Sequence, residues 1–182
     1  MLVTIVFLIL IFLSIQVLPV AIGINVNGKP LKAILLIIVL STVQLLTYWL
    51  GLKLGSTFMY LMEGFKTVVV FLGFVLIGIR MLMEVFNIRK GERTYSIDSI
   101  GHVALASFAQ GINSFLVGLM YYYILINERD TLVTLFAATI VISIIGITMK
   151  PGKLTLAFAS LLYSLGGLVM LFAAVYFSFF YL

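Results

Sequence analysis

The chain has 182 residues, of which 64% are hydrophobic and only 9% charged, with a mean hydropathy of +1.30. Soluble domains carry about a quarter charged residues, so this chain cannot cover itself with a wetted surface, and a multispanning membrane protein is the class that fits. The net charge of +5 does not signal nucleic acid, because the basic residues fall in short loops and form no patch; the absence of cysteine excludes disulfides, thiolate metal sites and a catalytic thiol.

Six apolar segments follow one another, each near or above the roughly 20 residues that cross a bilayer as a helix. The first, 2–24, reads as a retained helix rather than a signal peptide, since no basic residue precedes Lys29. Gln16 lies near its centre, and Pro19, which has no N–H, is expected to free the carbonyl of Ile15 beside it. After the turn "NVNGKP" comes 31–52, with Gln44 near its centre. The third segment, 67–86, carries Arg80 and Glu84 at i, i+4 spacing. They read either as a snorkelling arginine with an intrahelical partner or as a functional intramembrane pair.

The longest and most charged loop, "NIRKGERTYSIDS", leads into 100–126. Here Asn113 sits near the centre, beside Ser114, and Ser107, Gly111, Ser114 and Gly118 share one helical face for close packing. The segment ends in Tyr121, Tyr122 and Tyr123, which read as an interfacial aromatic belt. His102, the single histidine, reads as an interfacial polar anchor rather than a metal ligand. The turn "NERD" precedes 131–149, with Thr139, Ser143 and Gly146 on one face; "KPGK" precedes 154–180, with Ser160, Ser164 and Gly167.

Orientation follows from the basic residues. The first, third and fifth loops hold Lys29, Lys32, Arg89, Lys90, Arg93, Lys150 and Lys153, against Lys53, Lys66 and Arg129 in the second and fourth. The odd loops are therefore expected in the cytoplasm and both termini outside. "LGFVLIGIRM" in the third segment echoes "LGGLVMLFAA" in the sixth, as expected if three helices are repeated once in inverted orientation. No hydrolase motif appears, and Glu63, Glu84, Glu92, Asp98, Glu128 and Asp130 lie near or beyond segment ends, so no enzymatic activity and no catalytic residue is expected. The mid-membrane polar groups are instead the amides Gln16, Gln44 and Asn113, each a donor and an acceptor. They read either as glue between helices or as a shared polar centre.

Several of these stretches resemble the MntP family of manganese efflux pumps, six-helix proteins related to the LysE transporter superfamily. "SIQVLPVAIG" resembles that family's first-helix S-M-D motif and "VQLLTYWLG" its second-helix V-E segment; "GIRMLMEVF" resembles G-x-R-M-x-x-E-x-F, "GINSFLVG" the fourth-helix S-L-D-A-x-x-V-G, and "LGGLV" the start of the sixth helix. The resemblance implies that Gln16, Gln44 and Asn113 stand where the family has metal-binding acids, and Tyr163 where it has a sixth-helix acid, while Arg80 and Glu84 keep their identity. Amide oxygens ligate hard cations but bring no charge to compensate a divalent ion in low dielectric.

The expectation is thus an all-α integral membrane protein of the bacterial inner membrane. It is a single domain, 1–182, of six transmembrane helices in a three-plus-three inverted repeat with halves of about 1–86 and 100–182. Its expected function is efflux of a metal cation or small solute along Gln16, Gln44, Asn113, Ser114, Arg80 and Glu84. No cofactor is expected, and Mn²⁺ enters only as a substrate by resemblance. The alternative is a non-transporting membrane subunit that binds a protein partner. Expected partners are the lipid bilayer and a second copy or another membrane protein.

Overall fold

The structure, a computed structural model, describes residues 2–24, 26, 30–91, 100–124 and 126–182. Lys29, Glu92, Arg93 and Asp98 lie outside the described residues. The described chain is helical apart from short connections, with no strand among the described residues, and has five helical stretches long and apolar enough to cross a membrane. The protein is a multi-pass membrane protein.

The first stretch is broken. Helix α1 (Leu2–Ser14) passes through a 3-10 turn (Ile15–Val17) into the short α2 (Leu18–Gly23). Pro19 sits in the first turn of α2, where its missing donor costs nothing. The Ile15 carbonyl is not left free as the proline alone implies. The tighter turn lets the N–H of Leu18 donate to it, one residue ahead of the proline.

The second stretch is the longest, 60 residues from Pro30 to Arg89. It comprises α3 (Pro30–Phe58), a 3-10 segment (Met59–Phe65) and α4 (Lys66–Arg89). The loop expected over 53–66 is therefore helical. Lys53 lowers the hydropathy without ending the helix, and Ser56 and Thr57 both donate back to its carbonyl at 2.8 Å. Helical backbone is lost at Met62 (φ −108, ψ 16). Helix α5 (Ile100–Met120) ends six residues earlier than the apolar segment does, and α6 (Glu128–Thr148) starts within the expected turn. There the Asn127 side chain accepts from the Arg129 N–H at 3.1 Å, and Glu128 and Asp130 favour the positive end of the helix dipole. Helix α7 (Lys153–Tyr176) finishes in a π turn (Phe177–Tyr181).

The helices meet through their small and polar faces. On α3, Ser41, Gln44, Thr47, Tyr48, Gly51 and Gly55 are buried; on α5, Ser107, Gly111, Ser114 and Gly118; on α6, Thr139, Ser143 and Gly146. Large apolar side chains such as Leu72, Leu76, Met83 and Phe86 of α4 point outward. This is the expected polarity where lipid is the solvent and close backbone approach drives packing.

Helices α3 and α5 run parallel. Ser107 Oγ donates to the Leu40 carbonyl at 3.4 Å, and further along a Cβ on Gly118 would lie 2.9 Å from the Leu52 nitrogen and one on Gly55 2.8 Å from the Leu119 carbonyl oxygen. Helix α4 runs the other way along α5, since Arg80 reaches Asn113 while Gly73 packs on Met120. Helices α4 and α7 are antiparallel and cross at Gly78 and Gly167, where a Cβ on either would lie 3.0 Å from the other's carbonyl oxygen. Helix α6 closes the bundle against α1, α2 and α3.

Candidate functional site

The 3-10 turn between α1 and α2 holds Gln16 at the centre of the bundle, fully buried. Its Nε2 donates to Ser114 Oγ at 2.7 Å. Gln44, fully buried on α3, also donates its Nε2 to Ser114 Oγ. One hydroxyl on α5 thus receives amides from two other elements. The opposite end of each amide is unsatisfied. Gln16 Oε1 and Gln44 Oε1 are buried and have no hydrogen-bond partner. A buried acceptor left without any partner costs about 1–3 kcal/mol, so both oxygens are expected to find one.

Asn113 does not join Gln16 and Gln44. Adjacent helical residues point about 100° apart, and Asn113 turns toward α4. There Arg80 Nη1 donates to Asn113 Oδ1 at 3.1 Å and Nη2 to the Ala109 carbonyl at 2.9 Å. These hydrogen bonds of Arg80 cross to α5 rather than running along its own helix. Arg80 and Glu84 line one small cleft with Ala109, Gln110, Asn113 and Tyr163, about 10 Å³ in volume. Asn87 Nδ2 donates to Glu84 Oε2 at 3.5 Å. Gln110 Oε1 is a third buried amide oxygen without a partner. The polar interior therefore has two levels, an amide–hydroxyl cluster and a charged cleft, joined by the step from Ser114 to Asn113.

Beyond Gln44 toward the start of α6 lies a cavity of about 210 Å³, lined by Leu52, Ser56, Tyr121, Tyr122, Glu128 and Thr131 among others. Lys53 Nζ and Glu128 Oε2 pair beside it at 3.1 Å. Of the three tyrosines read as an interfacial aromatic belt, two turn inward. Tyr121 and Tyr123 are buried, Tyr121 meets Tyr48 edge-on with ring centroids 6.0 Å apart, and Tyr123 Oη donates to the Met59 carbonyl at 2.6 Å. The α5 helix stops at Met120, just before Tyr121 turns to α3 and Tyr123 to the 3-10 segment. Burial first, and then the Glu63 carboxylate, hold the Tyr123 phenol above its ordinary value. His102 is exposed in the first turn of α5. Among the described residues, no three His, Asp or Glu side chains gather as a metal site.

A family model described as "Putative manganese efflux pump", MntP, matches residues 27–177. The chain belongs to the MntP family. Membership makes it a membrane transport protein, and the match covers α3 through α7 with Gln44, Arg80, Glu84, Asn113, Ser114 and Tyr163. Gln16 and its broken helix precede the matched residues. Comparison with curated proteins and comparison with solved structures each gave no match. Within this MntP chain, sequence reasoning overlooked Gly51 and Gly55, although their G-x-x-x-G spacing was readable. It also overlooked the placement of Gln110 beside Arg80, for which the sequence carries no signal.

Proposed function

We propose that the chain is an efflux transporter of the bacterial inner membrane whose cargo, a metal cation or small solute, passes through the Gln16–Gln44–Ser114 centre and the Asn113, Arg80 and Glu84 cleft. The observation that carries this reading is the convergence of two buried amides on Ser114, with Ser114 and Gln44 inside the helices that match an efflux family and Gln16 on the helix just before them. The family match also favours transport over a partner-binding subunit.

Six crossings in a three-plus-three inverted repeat belong to the same reading. The opposite directions of α3 and α4 along α5 support a reversal at Met59–Phe65. Exchanging the halves maps the packing of α3 on α5 onto that of α6 on α1 and α2, and of α1 on α7 onto that of α4 on α5. The α4–α7 crossing is reciprocal as well: Gly78 packs on Leu171 as Gly167 packs on Leu82. This register pairs Gly78 with Gly167, about one turn from the alignment of the two echoing sequence stretches. Both termini face outside in this reading. With single cysteines in a chain that has none, Tyr60→Cys should react with an impermeant thiol reagent in intact cells and Arg89→Cys should not; the reverse pattern would overturn the orientation.

Amides at Gln16, Gln44 and Asn113 set this chain apart from the acids that the family pattern places there. Neutral oxygens do not compensate a dehydrated divalent ion. Mn²⁺ uptake into inverted vesicles should therefore be weak for the wild type and rise in the triple variant Gln16→Asp/Gln44→Glu/Asn113→Asp. Protein levels must be matched, since each mid-membrane acid adds roughly 2.5–3.5 kcal/mol of insertion cost. Strong Mn²⁺ uptake by the wild type would sink the neutralised-site reading.

A further inference from the structure

Three facts about the amide centre bear on what it can hold. First, its unsatisfied atoms are acceptors: Gln16 Oε1 and Gln44 Oε1 are buried and unpartnered, and covalent geometry keeps each beside the Nε2 that touches Ser114 Oγ. Acceptors left over call for a cation or a hydrogen-bond donor. Second, the groups are in direct contact. Gln16 Nε2 stands 2.7 Å from Ser114 Oγ, so in this arrangement a single ion fits among them more readily than an organic solute does. Third, the charge inventory is low. Among the described residues Glu63, Glu128 and Asp130 are exposed near helix ends, and Glu84 shares its cleft with Arg80. No carboxylate reaches the centre's hydrogen bonds, and the nearby guanidinium repels a doubly charged ion twice as strongly as a singly charged one. Desolvation rises more steeply still, because the cost of stripping an ion of water grows with the square of its charge.

Neutral oxygens are sufficient for monovalent ions, as carbonyl-lined filters and broken-helix ion sites illustrate. We propose that Gln16, Gln44 and Ser114 form a binding site for a small monovalent cation of the Na⁺ class. The inference rests on reading this centre as the place where the transported species sits. Loading needs a flip of both amides and a small parting of the three side chains to admit the ion. A half-turn of each terminal side-chain torsion exchanges nitrogen for oxygen in place. In the unloaded arrangement both Nε2 groups point at Ser114 Oγ and occupy its lone pairs. In the loaded arrangement both Oε1 atoms point in, and three oxygens from three helical elements converge. Without an ion that second arrangement sets three oxygens together with a single hydroxyl proton among them, so it is stable only when filled. The two amides thus act as a pair of rotors that report occupancy, and Gln16, carried by the 3-10 turn at the break between α1 and α2, links that report to the shape of the first helix.

The test is equilibrium binding of radioactive ²²Na⁺ to the purified full-length chain in detergent, in a choline buffer. The wild type should bind Na⁺ saturably, one ion per chain, with displacement by unlabelled Na⁺ and Li⁺. Mn²⁺ should displace it at least about tenfold less well than Na⁺ on a concentration basis. Gln44→Met and Ser114→Ala should each weaken binding about 10–100-fold, with the thermal midpoint followed in parallel to show that the variants are folded. Absence of saturable binding to the wild type would overturn the proposal without reference to any variant. So would Na⁺ binding that survives both substitutions, or displacement by Mn²⁺ at lower concentration than by Na⁺. Because this readout needs no transport, the two readings fail separately. A chain that binds Na⁺ but moves nothing across vesicles keeps the site and loses the transporter reading; a chain that moves Mn²⁺ but binds no Na⁺ does the opposite.

Discussion

Two stretches of the same helix pair follow opposite rules. Between Gly51 and Gly55, α3 lies on α5 backbone to backbone, with Gly51, Gly55 and Gly118 leaving no room for a methyl group. About two turns earlier, Gln44 and Ser114 meet through polar side chains, and acceptors there go unpaired. The seam is packing taken to its limit. The centre tolerates a local cost that packing alone would have removed, since a Leu or Met in place of Gln44 would fill the same space without an orphan. The difference separates what holds the bundle together from the centre where the proposed function lies.

Substitutions along the pair can break that contrast. The largest effect is expected at Gly118. Leu there drives side-chain atoms into the Tyr48 carbonyl and the Leu52 amide, which cannot move aside, and should cost about 3 kcal/mol or prevent assembly. Unfolding in mixed micelles checks it, and wild-type stability would show that the seam is looser than described. Gly111→Ala tests the same face against a movable neighbour, the Thr47 side chain; its smaller cost, about 1 kcal/mol, would calibrate the seam.

Arg80→Met comes next. It removes two charge-assisted hydrogen bonds to α5 and should lower stability by about 2 kcal/mol, read from the same unfolding curves. Gln44→Met sharpens the contrast most, although its stability effect is smaller. Losing one hydrogen bond and one orphan together should leave stability within about 1 kcal/mol of wild type, in either direction, while Na⁺ binding falls. A large loss of stability would make Gln44 a structural strut like Gly118. The smallest effect is expected at Lys53→Ala. Its partner Glu128 is about as exposed as Lys53 itself, so the pair is worth roughly 0.2–1 kcal/mol and less in high salt.

The apolar segments and the small-residue faces were legible in the sequence because both are local periodic signals. Ser107, Gly111, Ser114 and Gly118 could be assigned to one buried face from spacing alone, and all four are buried. Gln16, Gln44, Asn113 and Ser114 could be singled out as polar residues in apolar runs. Their grouping could not, because it depends on how three helices rotate about their axes. Asn113 was grouped with the other amides on depth, whereas the turn of one residue sends it to Arg80 and leaves Ser114 as the hub. The extent of α3 was misjudged because hydropathy falls at Lys53, and hydropathy marks the edge of the hydrocarbon rather than the end of a helix. The inward fold of Tyr121 and Tyr123 was hidden because an aromatic cluster at a helix end has the same composition whether it faces lipid or the Met59 carbonyl.

That overrun of α3 has a consequence for the surrounding bilayer. Its 29 residues make a rod about 44 Å long, against a hydrocarbon core of about 30 Å. Phe58, Tyr60, Leu61 and Phe65 are exposed around its far end, with Lys53, Glu63 and Lys66 nearby, a composition that prefers the headgroup boundary to either oil or water. The part beyond Lys53 lies in that boundary layer, while the apolar part, 31–52, is about 33 Å long and needs only a modest tilt to fit the core, which α5 is expected to share because the glycine seam packs the two helices together. A thinner membrane should lean the pair further and a thicker one should bring it upright, at fractions of a kcal/mol per Å of hydrophobic mismatch. Gln44 and Ser114 ride on those two rods, while Gln16 rides on another, so bilayer thickness becomes a mechanical input to the geometry of the centre.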